Sequence, residues 1–305
     1  NTTGEKNCGL GHTALEDNTT GSFLVAIGQA SLANNTTANY NIGVGVHSLL
    51  TNTTGNSNVA IGHAALEDNT TASNNTAVGY GALRDNTTGG DNVAVGRDAL
   101  DANTIGASNT GIGYQALSGN TEGDRNVAVG RAALYSNTTG EYNVAVGTYS
   151  LDTSTTASYN VAVGYEALGA TTTTGANVAI GYRTAYSNTT GGSNISIGYQ
   201  ALYANTTGDY NVAIGRDTLD VNTTGTQNVA VGALALDANT TGSYNIAIGH
   251  GALGANTTAS GNIALGYQSL SSNTTGSLNT SLGYQALEDN TTGGENTAVG
   301  YKSLY

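Results

Sequence analysis

The residues of this chain that could do chemistry are few in kind and strictly placed: four His, 18 Tyr, 21 Asp and Glu, and fourteen Asn-Thr-Thr triplets. All of them sit on a 17-residue grid. Units start at residue 7 and every 17 residues thereafter up to residue 296, without insertion or deletion, as in NVAVGRAALYSNTTGEY (126–142). With the Asn of the Asn-Val-Ala-Val/Ile-Gly motif as position 1, His12, His63 and His250 fall at position 6 and His47 at position 7. They lie whole units apart, which nominates no Ser-His-Asp or Cys-His arrangement for nucleophilic catalysis. The metal patterns CxxC and HxxxH are absent, and TGGDN (88–92) is only a passing likeness of the GGxGxD calcium repeat. No enzymatic activity, cofactor or metal is expected.

The remaining candidates are rows. Eight Tyr occupy position 6 (Tyr80, Tyr114 and Tyr199 among them), five position 17, four position 10, and Tyr149 position 7. Such rows could stack on sugars or on a partner surface; rings of neighbouring units stacking on one another is the plainer account. Eleven of the 21 acidic residues fall at positions 10 and 11, including Glu16, Asp17, Glu67 and Asp68. They read as a solvated edge, with weak recruitment of divalent cations as the alternative. The Asn-Thr-Thr triplets match the glycosylation acceptor, but Asn-Thr-Thr-Gly is turn chemistry first. Rows of Thr also suggest ice binding. Ice-binding rows, however, alternate along a strand, whereas these adjacent Thr stand beside Gly in a turn.

A fixed short period positions these rows by making each unit one coil of a solenoid, in which only stacking buries a core. Position 2 is Val, Ile, Thr or Cys and position 4 is Val, Ile or Leu. Their β-branched character and period of two predict a strand with those two positions inside the coil. Position 3, always Ala, Gly or Ser, then faces outward, and so small a column predicts another surface packed against it. Ala60, Ala77 and Ala94 are the expected interchain contacts. Position 5 is Gly in every unit, including Gly62, Gly79 and Gly96, and ends the strand at a corner. Position 9, Leu except at Ala185, gives a second inward column. Asn at positions 1 and 12 and Thr at position 13 predict hydrogen-bonded ladders along the axis, as at Asn58, Asn75, Asn92, Thr70, Thr87 and Thr104.

Composition narrows the function classes. A net charge of −13 with eight Lys and Arg leaves no basic face for a phosphate backbone, so no nucleic-acid partner is expected. A single Cys excludes an intramolecular disulfide framework, and no apolar run reaches the ~20 residues of a membrane span. With no Pro, every residue can donate to a ladder. The chain starts and stops within a unit, without atypical capping units, so residues 1–305 are expected to be one uninterrupted repeat region of a longer fibrous protein.

The motif NVAIG (58–62) or NVAVG (143–147), with Ala or Ser three residues on, resembles the head repeats of trimeric autotransporter adhesins of the Hep/Hag type. Long NTTG and AIGYQAL arrays are similar to those of phage fibre shafts. The resemblance covers the whole chain, although the family's head units are shorter than 17 residues. It implies a left-handed parallel β-roll and three chains about one axis, exposed outside a cell or virion. The expectation is therefore an all-β parallel solenoid of about 18 coils, homotrimeric or filament-forming. Its role would be an extracellular structural or adhesive fibre, a shaft or head acting as a stiff rod. A solenoid recognising a host-surface glycan or protein, or ice, through its Thr, Asn and Tyr columns is the alternative.

Overall fold

The computed structural model describes residues 1–304 and is an all-β parallel solenoid with one three-residue strand per unit. Among the described residues there is no helix, and so none long and apolar enough to cross a membrane. The chain divides into two compact units, residues 1–157 and residues 158 onward. The first holds β1 (Cys8–Leu10) to β9 (Val144–Val146), the second β10 (Val161–Val163) to β18 (Thr297–Val299). Within each unit consecutive strands pair in parallel, every residue opposite the one 17 further on: Cys8 with Val25 in the first, Val161 with Val178 in the second.

Three residues of strand per coil would leave most backbone groups orphaned, and the turns solve this by forming ladders of their own. Gly62 N–H donates to the Val44 carbonyl, Ala64 to Val46, Leu66 to Ala82, Asp68 to Arg84 and Thr70 to Thr87, all between neighbouring coils. Coil-to-coil pairing therefore continues through the turns around much of the circumference. To turn in so few residues it uses the left-handed region at three non-glycine columns. Position 7 (Asp98, φ 53°), position 9 (Leu100, φ 53°) and position 17 (Tyr142, φ 56°) recur in this conformation. A β-carbon there costs on the order of 1 kcal/mol per residue. For the Leu column that cost is met by complete burial, since Leu66, Leu83 and Leu100 are all fully covered.

The strand's two faces are reversed from the sequence expectation. The position-3 residues Ala60, Ala77 and Ala94 are 0% exposed, whereas Ile61 is 42% and Val95 36% exposed. The small column faces inward and the β-branched residues at positions 2 and 4 face out. Interior width is the reason. Opposite position 3 the coil already holds the Leu at position 9 and the small residue at position 8. At Gly43 an added β-carbon would lie 2.6 Å from the Ser31 Oγ and 3.0 Å from the Ser48 Oγ. At that coil even a methyl is crowded by the two hydroxyls, and elsewhere the column carries nothing larger than a methyl or hydroxymethyl group.

Inside, each coil has an apolar half (positions 3, 8 and 9) and an amide half (positions 1 and 12). Asn at both of these positions is almost wholly buried, as at Asn58 and Asn69.

Candidate functional site

The columns named from sequence are placed as follows. Asn58 N–H donates to the Asn41 Oδ1 at 2.8 Å, and its Nδ2 donates to the Ala72 carbonyl at 2.8 Å, closing its own coil. Asn75 and Asn92 repeat this: each backbone N–H reaches the preceding Asn Oδ1 at 2.9 Å, and the side chains reach the Gly89 and Gly106 carbonyls. Position 12 carries a second amide ladder, with Asn69 Nδ2 donating to the Asn52 Oδ1 at 2.8 Å and to the Ala72 carbonyl at 3.1 Å. The Thr70, Thr87 and Thr104 hydroxyls donate to the carbonyls of Thr87, Thr104 and Thr121 at 3.0–3.1 Å. Gly62, Gly79 and Gly96 stand at the corner with φ of 136–143°. A β-carbon on Gly96 would also come within 2.5 Å of the Gly113 carbonyl oxygen in the next coil.

These placements close several surfaces to chemistry. Ala60, Ala77 and Ala94 are covered by their own chain and cannot touch a second one. The Asn of the Asn-Thr-Thr triplets from Asn18 to Asn273 are buried, with Nδ2 already committed as at Asn18 and Asn273, so these twelve offer no acceptor for a glycan in the folded coil. The position-13 Thr hydroxyls are spent on the backbone, which leaves position 14 as the exposed Thr row, broken by Ile105 and Glu122.

What remains open is the outer surface, which has three parts. The first is an apolar face in each unit, built from positions 2 and 4, with Ile27, Ile61 and Ile112 exposed in the first and Ile180, Ile195 and Ile214 in the second. Such a contiguous row on a sheet face exceeds the scattered apolar residues of an ordinary surface.

The second part is the aromatic column at position 6. The rings stack between coils at 5.3 Å for Tyr182–Tyr199, 5.1 Å for Tyr267–Tyr284 and 5.1 Å for His63–Tyr80. His47 lies 6.0 Å from His63 and places its Nδ1 3.3 Å from the Glu67 carboxylate. Arg side chains interrupt or cover the column elsewhere. Arg97 sits 5.7 Å from the Tyr80 ring and 5.8 Å from Tyr114, and Arg183 lies over Tyr165, Tyr182 and Tyr186 while pairing with Glu166 at 2.6 Å. The hydrogen bond between Tyr165 and the Glu166 carboxylate pushes the phenol's pKa up.

The third part is the acidic edge. Burial, then neighbouring carboxylates, pushes Asp220 above the ordinary carboxylate value; burial also raises Asp101 and Asp237. Among the described residues no group of three or more His, Cys, Asp or Glu converges as a metal site. One shallow pocket of about 140 Å³ opens in the first unit, lined by Gln115, Arg131, Ala132, Tyr135, Tyr149 and Asp152. Arg131 lies 5.3 Å from the Tyr149 ring.

The sequence reading missed that the apolar face points outward and that the Asn are interior. The signal was present: positions 3 and 8 are both restricted to small residues, as two columns facing each other across a narrow core must be. Comparison with protein-family models and with curated proteins returns no match.

Proposed function

We propose that this chain is a structural and adhesive fibre element, the repetitive shaft or head of an extracellular fibre on a cell or virion surface. It works mechanically and catalyses nothing. The observation that carries this reading is the commitment of the coil's polar groups to its neighbours. Backbone, Asn amide and Thr hydroxyl groups are spent along the axis. A chain built this way resists local opening, because unpairing one coil orphans donors in the next. That is the property of a stiff, protease-resistant spacer.

Self-association belongs to the same reading, through the outward face of positions 2 and 4 and not through position 3. A face of Val and Ile standing off a regular sheet is the geometry that packs on a second sheet about 10 Å away. Light scattering on the purified chain is the test. Three times 30.5 kDa is the expected mass for a homotrimer, and a higher, concentration-dependent multiple for a filament. Ile180→Lys with Ile214→Lys is expected to reduce this to 30.5 kDa while leaving the fold intact by circular dichroism. A wild-type chain that stays monomeric overturns the assembly reading.

The pocket of the first unit favours one further reading, recognition of a sugar. Two Tyr rings, an Arg, an Asp and a Gln around about 140 Å³ are the apolar and polar components that a saccharide unit needs. Saturation-transfer NMR with simple sugars tests it. Transfer that disappears in Tyr135→Ala supports the reading; no transfer to any sugar removes it.

A further inference from the structure

One-electron oxidation of this chain has few places to land. The protein has no Met and no Trp, and its single Cys, Cys8, lies in the first unit. The oxidisable side chains of the second unit are therefore its tyrosines. Besides Tyr159 and the stacked rings around Arg183 (Tyr165, Tyr182 and Tyr199 at position 6, Tyr186 and Tyr203 at position 10), two groups stand out. Tyr210 and Tyr244, at position 17, are 62% and 63% exposed, with Ser193, Gln227 and Gly261 as their column neighbours one coil away. Tyr267, Tyr284 and Tyr301, at position 6, form an uninterrupted run on consecutive coils. Their ring centroids lie 5.1 and 5.4 Å apart and their planes within 16° of parallel. Tyr267 and Tyr284 are nevertheless 42% and 44% exposed, so an oxidant reaches them and each ring can swing about its own side-chain torsions.

We propose that Tyr267 and Tyr284 are a site of oxidative tyrosine–tyrosine coupling, a covalent staple between adjacent coils in a chain without disulfides. The ladder sets the reaction up by holding two phenols in register, which turns an encounter between two radicals into an intramolecular step. The oxidant class is a haem peroxidase with hydrogen peroxide. Each phenol gives up one electron and its hydroxyl proton to become a phenoxyl radical. The two radicals join through the ring carbons ortho to oxygen, forming one C–C bond. Each coupled carbon then loses its hydrogen as a proton while the adjacent oxygen regains one, restoring two phenols. The net loss is two electrons and two protons, which reduce one hydrogen peroxide to two waters. Neighbouring Tyr301 extends the same chemistry by one coil. The Arg183 guanidinium lies over Tyr165, Tyr182 and Tyr186, 6.0, 5.5 and 5.4 Å away, and that cation disfavours removal of an electron from one ring of each of the stacked pairs Tyr165–Tyr182, Tyr182–Tyr199 and Tyr186–Tyr203. The bare run at Tyr267 couples first.

The test treats the full chain at high dilution with peroxidase and limiting hydrogen peroxide, then unfolds and digests it for mass spectrometry. Expected is dityrosine fluorescence in a product of monomer mass, lighter by two hydrogens per link, with the link mapped to Tyr267–Tyr284 or Tyr284–Tyr301. Tyr284→Phe removes both partners' neighbour and is expected to lower the intrachain yield about tenfold; Tyr244→Phe leaves it unchanged. Because the readout is intrachain, it is independent of whether the protein self-associates. Links found chiefly between chains, links mapping equally to Tyr210 or Tyr244, or an unchanged yield in Tyr284→Phe would each overturn the proposal.

Discussion

The inside and the outside of one coil obey different rules, and β6, the strand Val93–Val95, shows both in three residues. Ala94 is wholly buried and Val95 is 36% exposed, although Val is the larger hydrophobe. Inward columns are fixed to within a methyl group: Ala, Gly or Ser at position 3, Ala, Ser or Thr at position 8, Leu or Ala at position 9. Outside there is more latitude: positions 2 and 4 keep to small and medium apolar types and Thr, while position 6 holds His, Gln, Val, Tyr, Arg, Thr and Ala. In this coil, invariance measures lack of room more than hydrophobicity. What could act on another molecule lies outside, in variable columns such as position 6 and in the restricted apolar pair at positions 2 and 4.

The most severe way to break that contrast is at the corner. Gly96→Ala places a β-carbon against the Gly113 carbonyl oxygen at a φ of 136°, which L-residues rarely adopt. It is expected to cost about 3 kcal/mol or more. Val95→Thr, one residue earlier but outward, is expected to stay within about 0.5 kcal/mol. Hydrogen exchange of the amides in the flanking coils measures both, since a solenoid opens locally. Equal loss of protection in the two variants would show that the inside–outside distinction is mistaken.

The amide ladder offers a gentler test, because the protein contains its own defect. At position 12 the first unit runs Asn103, Asn120, Asn137 and then Ser154. Asn120 Nδ2 reaches the Asn103 Oδ1 at 2.7 Å, and Asn137 Nδ2 reaches the Asn120 Oδ1 at 2.7 Å. Beyond that the series stops: the Asn137 Oδ1 and the Ser154 Oγ are both buried without a hydrogen-bond partner. Asn120→Ala, which orphans a donor and an acceptor in an intact stretch, should cost about 2 kcal/mol. Ser154→Asn supplies the missing donor and should add about 1 kcal/mol of local stability. If Ser154→Asn destabilises instead, the ladder is not what limits this part of the coil.

Much of this was legible in sequence, and the failures have physical causes. The 17-residue period gave one coil per unit, and Leu at position 9 reads correctly as interior because nothing else explains so constant a large residue. The corner glycines read correctly as well, since a strand ending at invariant Gly implies positive φ. Sidedness was not legible at positions 2 to 4, because Val-Ala-Val satisfies a period of two with either face inward. What decides is the cross-section of the closed coil, a tertiary quantity. The left-handed residues at positions 7, 9 and 17 were invisible for a related reason: Leu100 or Ala64 carries no turn signature, and the conformation is imposed by closure. The Asn at position 12 read as turn residues and are interior ones. Turn chemistry and core polarity use the same side chain.

The smallest effect separates the inner from the outer columns by charge. Asp220 and Asp237 stand in successive coils at position 10, on the border between them. Each is held above the ordinary carboxylate value of 3.8, first by burial and then by neighbouring carboxylates, with backbone hydrogen bonds and His250 partly opposing this at Asp237. The Asp220 Oδ1 is buried with no partner. A carboxyl whose folded-state pKa exceeds its unfolded value binds protons more readily when folded. The penalty for its charge is therefore fully present above the folded value, fades as pH falls through it, and is gone below 3.8. These coils should gain protection against hydrogen exchange as pH falls through the raised folded-state value toward 3.8, the reverse of ordinary acid denaturation. Asp220→Asn with Asp237→Asn should match the acid-stabilised state at neutral pH and lose the slope. A double variant that keeps the wild-type slope would place the titrating groups elsewhere on the acidic edge and make position 10 an outer column like the rest.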